Sequence, residues 1–183
     1  MNKRVLLAGV LGAVAMFLWS SIAHMALPLG EAGMQYIDNE QALLSTMKST
    51  LSAHGMYMFP KRDPKGDMAE NEKKIATGPS GLIIYFPTRD FSFPKLLAVE
   101  FGTELLQALI AVYLLSLTSV GSFGGRLGFF ALIGLLAVSA TNISYWNWYG
   151  FTDTYTCSYM FMGWFGYVCA GLVAAAMKIG GSR

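Results

Sequence analysis

Four stretches of the chain are apolar for long enough to cross a bilayer, and this limits the folds open to it. They cover residues 5–27, 96–117, 127–145 and 157–177. Each is roughly 20 residues, the length that spans a hydrocarbon core of about 30 Å at about 1.5 Å per helical residue. The composition agrees: a mean hydropathy of +0.46, with 54% hydrophobic and 13% charged residues, is too apolar for an ordinary soluble domain. The expected fold class is an all-α transmembrane four-helix bundle. A small α+β extracytoplasmic domain is inserted between its first and second helices. The divisions are residues 1–27 for the first helix, 28–95 for the insertion and 96–183 for the other three helices.

Orientation follows from Lys and Arg in the short flanks. Lys3 and Arg4 precede the first helix, Arg126 follows the glycine-rich turn before the third, and Lys178 and Arg183 follow the fourth. All fall on one side, so both termini are expected to be cytoplasmic and residues 28–95 extracytoplasmic. Asn2-Lys3-Arg4 and the apolar run after it also resemble a signal peptide, and Ser21-Ile22-Ala23 would serve as its cleavage site. The segment is read as an uncleaved first helix.

The insertion reads as structured. Asp38-Asn39-Glu40-Gln41 can cap a helix whose apolar face is Leu43, Leu44, Met47 and Leu51, with Gly55 as its αL stop. A strand is expected over residues 56–60, a turn at Asp63-Pro64-Lys65-Gly66, a short helix over 68–75 and a second strand over 82–87. Two strands are marginal in water, so this unit must pack on a helix, a membrane face or another protein. The second outer loop, 146–156, is dense in aromatics: Trp146, Trp148, Tyr149, Phe151 and Tyr155. It reads as an interfacial belt or as a contact surface for a partner, with Trp146, Trp148, Tyr149 and Phe151 as the contact residues.

Threading the helices alternately brings Ser20, Ser21 and His24 to the level of Glu100, Glu104 and Gln107, with Thr141, Asn142, Ser144 and Cys157 on the same side. Polar groups in lipid face a bundle interior or a wet cavity, so the cluster is a site candidate. His24, Glu100 and Glu104 are the candidate ligand-binding or metal-coordinating groups. Ser20, Gln107 and Asn142 would support them by hydrogen bonds. Three readings stay open: interhelical glue, a ligand site for a cation, proton or small headgroup, and a partner-subunit contact. His24 and Glu104 are expected to meet inside the outer half of the bundle, directly or through one polar neighbour. Small-residue ladders for close helix approach occur at Gly124/Gly128 and at Gly166/Ala170/Ala174.

Several chemistries are excluded. There is no Walker loop, dinucleotide fingerprint, HExxH or nucleophile elbow, and the sequence leaves the cofactor unknown. A net charge of +2, with its basic residues scattered, gives no nucleic-acid footprint. Cys157 and Cys169 lie too far apart along one helix to pair.

Trp19-Ser20-Ser21-Ile22-Ala23-His24, Gly78-Pro79-Ser80-Gly81 and Tyr145-Trp146-Asn147-Trp148-Tyr149-Gly150-Phe151 resemble segments of a group of small uncharacterised bacterial four-helix membrane proteins. That resemblance implies the bacterial inner membrane and transfers no activity. In architecture only, the layout is similar to claudin-like proteins. The paired cysteines and Gly-Leu-Trp signature of their first loop are missing here. Without a catalytic signature, the expected function is that of an accessory or scaffold subunit. Through its outer domain and aromatic loop it would dock a larger membrane complex or a second copy of itself. The alternative is a binder or carrier of a cation, proton or small headgroup in the polar pocket.

Overall fold

A computed structural model of the chain describes residues 2–181. The described residues form α1 (Lys3–Met25), α2 (Glu40–Thr50), β1 (Gly55–Phe59), α3 (Met68–Thr77), β2 (Gly81–Tyr85), α4 (Phe93–Ser116), α5 (Phe123–Tyr149) and α6 (Asp153–Ala176). A 3-10 turn, Leu29–Glu31, follows α1. The chain divides into two units. One holds the sequence up to Met34 and from Ser92 onward; the other is Gln35–Phe91.

In the first unit, α1, α4, α5 and α6 are all long and apolar enough to cross a membrane. Local chemistry sets their ends. The Asn2 side chain accepts from Val5 N–H at 2.9 Å, Ser122 from Gly125 N–H at 3.0 Å, and Thr152 from Tyr155 N–H at 3.2 Å. Pro94 sits in the first turn of α4, where its missing N–H costs nothing. Gly150, at φ 70°, ends α5 in the left-handed conformation. This corrects the expected second loop. Nothing breaks the helix before Gly150, so Trp146, Trp148 and Tyr149 belong to the last turn of α5, and only residues 150–152 connect it to α6.

The helices pack in the order α4, α1, α6, α5, with slight contact between α4 and α5. Small residues set the spacing. A methyl group at Gly12 would lie 3.4 Å from Ala170 Cβ and 3.7 Å from Ala108 Cβ, so Gly12 marks where α1, α4 and α6 converge. Ala8, Ala13, Ala108, Ala170 and Ala174 are fully buried in the same core, with Val112, Leu115 and Phe130. Two indoles tie helices together: Trp19 Nε1 donates to Met162 O at 2.9 Å and Trp164 Nε1 to Ala131 O at 3.1 Å. The outer faces carry exposed Leu7, Leu18, Leu106, Leu132 and Leu136. Helices apolar on both inner and outer faces suit a lipid solvent.

The second unit has an antiparallel hairpin with Gly55 opposite Tyr85 and Phe59 opposite Gly81. Asp63 and Asp67 build its turns: Asp63 Oδ1 accepts from Lys65 N–H at 2.9 Å, and Asp67 Oδ1 caps α3 through Ala69 N–H at 3.1 Å. Gly55 does not stop α2 as expected. That helix ends at Thr50, and Gly55 opens β1. Its hydroxyls compete for the backbone, since Thr46 donates to Ala42 O at 3.0 Å and Ser49 to Thr46 O at 2.9 Å. Neither α2 nor α3 buries a residue. Tyr85 is the unit's one buried hydrophobic residue. Met56, Met58 and Ile84 share a face of the hairpin and are each more than half exposed.

Candidate functional site

The α1–α4 seam continues toward the start of α4 as a polar site. The buried residues of α4 are Glu104, Ala108, Ala111, Val112 and Leu115, at the spacing of a single helix face. On α1, Gly12, Ala13 and Met16 are buried, and Ser20 extends the same stripe by one turn. Glu104 therefore faces inward opposite Ser20. Its side chain is only 6% exposed and its Oε2 has no hydrogen-bond partner. The carboxyl group is within hydrogen-bonding reach of the Ser20 hydroxyl, and Glu100 precedes it by one turn of α4. Ser20 Oγ also lies 3.1 Å from Phe17 O. Phe17 and Phe101 meet edge to face at 5.5 Å, each three residues before its polar neighbour.

His24 reaches the same residue from the other side. Its Nδ1 lies 2.9 Å from Ser20 O. The ring is turned toward α6 and the turn after α1: its edge meets Tyr159 at 6.3 Å, and a methyl group on Gly30 would come within 2.8 Å of Nε2. Tyr159 Oη in turn donates to Gly30 O at 3.2 Å, and Thr152 Oγ1 to Gly33 O at 3.3 Å. His24 and Glu104 thus share Ser20, one through its carbonyl and the other through its hydroxyl.

Among the described residues no three His, Cys, Asp or Glu side chains gather as a metal-holding group. The three residues His24, Glu100 and Glu104 take different surroundings: His24 packs against the Gly30 turn, Glu100 is exposed and Glu104 is buried. Asn142 does not join either. It lies on α5, whose main packing partner is α6, and donates to Val138 O of its own helix at 2.9 Å. Gln107 is half-buried; Thr141, Ser144 and Cys157 are exposed.

The aromatic residues form a ladder across the same end of the bundle. Ring centroids step from Tyr145 to Phe151 at 5.4 Å, to Tyr155 at 5.2 Å and to Tyr159 at 4.2 Å, and then reach His24. Phe151 is enclosed in this ladder, whereas Trp148 is 75% exposed. Trp146 Nε1 donates to Asp153 Oδ1 at 2.7 Å and closes the α5–α6 connection.

Two further buried polar residues lie outside the candidate set. Thr156 is buried in the first turn of α6 with its hydroxyl unpartnered. Arg126, read in the sequence only as a topological charge, is 7% exposed at the opposite end. It donates to Ile179 O at 2.6 Å and Gly180 O at 3.4 Å, while Arg4 donates to Met177 O. The two guanidinium groups satisfy carbonyls at the C-terminal end of α6, where the helix dipole favours cations.

Fold and site together define a class: a bundle of four membrane-length apolar helices with, among the described residues, one buried carboxyl group in its seam. No protein-family model, curated protein or solved structure matches the chain.

Proposed function

We propose that this protein is a small integral-membrane accessory or scaffold subunit. It docks a larger membrane complex through the Gln35–Phe91 unit and the exposed aromatic residues at the end of α5. One observation carries the reading: the second unit keeps Met56, Met58 and Ile84 uncovered on one hairpin face and buries one hydrophobic side chain, Tyr85. A two-stranded sheet without a core of its own is marginal in water, and covering that face with a partner supplies the missing burial. Trp148 adds an aromatic anchor of the kind that dominates interface energetics. In the same reading the protein sits in a bacterial inner membrane, with its termini cytoplasmic and the docking unit outside.

Affinity purification from native membranes in mild detergent tests this. A stoichiometric partner, or a second copy of the chain, should co-purify with the wild type and be lost in the double variant Met56→Glu with Ile84→Glu. Both positions are exposed, so the variant leaves the protein's own packing intact. Recovery of the wild type as a monomer across several detergents would overturn the proposal.

A further inference from the structure

The docking surface makes no use of Glu104, and an acid at this depth in an apolar helix is costly to keep unless it binds something. We propose that Glu104 is a reversible proton-binding site, loaded from the end of the bundle where α4 begins, with the Ser20 hydroxyl as its hydrogen-bond rotor. An ionised carboxylate removed from water needs a cation or several donors. Among the described residues Glu104 has no ion-pair partner and belongs to no metal-holding group. The groups facing it are few: on α4 the exposed Glu100, and on α1 the Ser20 hydroxyl, with His24 held on the Ser20 carbonyl. The proton is the one cation that such a sparse oxygen set can hold.

Ser20 fits both protonation states. With the proton on Glu104, the carboxyl O–H donates to Ser20 Oγ, and the Ser20 hydroxyl donates to Phe17 O, 3.1 Å away. When the proton leaves, the hydroxyl rotates to donate to the carboxylate and releases Phe17 O. A hydroxyl carries one donor and two acceptor sites, so a single torsion serves either state. The departing proton passes to the carboxylate of Glu100, one turn closer to the start of α4 and outside the packed seam, and leaves at that end of the helix.

Infrared titration of the full chain in lipid nanodiscs tests this by following the carbonyl stretch of a protonated carboxylic acid. A band that disappears reversibly as the pH is raised, and that is absent from Glu104→Gln, is the expected result. Glu100→Gln should displace its midpoint, and Ser20→Ala should move its frequency by removing the hydrogen-bond partner. A Glu104 band missing at every pH, or unchanged at every pH, would overturn the proton site. A midpoint indifferent to Glu100→Gln would overturn the loading route, and a frequency indifferent to Ser20→Ala would overturn the rotor. The hairpin variants that abolish docking should leave the band untouched, so the two readings fail independently.

Discussion

Three polar side chains at helical spacing on α4 meet different surroundings. Glu100 is exposed, Glu104 is buried against α1, and Gln107 is half-buried. Depth along the helix accounts for Glu100, which lies within two turns of the start, and the α1 seam accounts for Glu104. Glu104→Gln keeps the volume and removes the need to hold a charge, so thermal unfolding in detergent should show it at least as stable as the wild type. Glu104→Ala leaves a void opposite Ser20 and should cost roughly 1–3 kcal/mol. The importance of Glu104 can be read from sequence, because an acid in an apolar run is conspicuous. Its partner is legible only as one of three, because the sequence offers Ser20, Gln107 and Asn142 alike, and the pairing of α1 with α4 selects Ser20. His24 shows the limit of spacing arguments. It lies at the expected depth, yet Gly30 and Tyr159, on other segments, decide which way its ring turns.

At the level of elements, the two small-residue ladders separate clearly. Ala170 and Ala174 are fully buried and Gly166 faces Met16 and Trp19, whereas a methyl group at Gly124 or Gly128 would meet nothing. Sequence periodicity located both ladders and could not rank them, because a small residue facing lipid looks the same as one facing a helix. A sharper contrast lies between α5 and α6, where a methyl group at Gly171 would come within 2.7 Å of Phe130 Cβ. Gly171→Ala should therefore destabilise by about 1–3 kcal/mol through overpacking. Gly128→Ala should be neutral or gain up to about 1 kcal/mol from reduced backbone freedom. Thermal unfolding of the two variants side by side checks both. Arg126→Ala strips charge-assisted hydrogen bonds from the end of α6 and should cost about 1.5–3 kcal/mol, with Arg126→Lys recovering part of it. Helix number and type could be read from the apolar runs. Helix ends are legible only to within several residues, because aromatic residues such as Trp146 and Trp148 suit either an interfacial loop or a final helical turn until Gly150 ends it.

The whole molecule joins a bundle rich in buried contacts to a second unit almost without them. Its proposed orientation can be tested with single cysteines introduced into a background lacking Cys157 and Cys169. A membrane-impermeant maleimide added to intact cells should label Ser80→Cys in the second unit. It should label Lys178→Cys, beyond α6, only after permeabilisation. The opposite pattern would reverse the topology. The packing order also bears on how the protein is made. The bond from Trp19 to Met162 closes across 143 residues, so α1 must wait in the bilayer until the last helix has been synthesised. Only α4 can engage α1 before then, and it arrives after the whole Gln35–Phe91 segment has emerged. The Ser20–Glu104 pairing is thus among the earliest long-range bonds available to the nascent chain. It would hold the first two spans together until α5 and α6 complete the bundle.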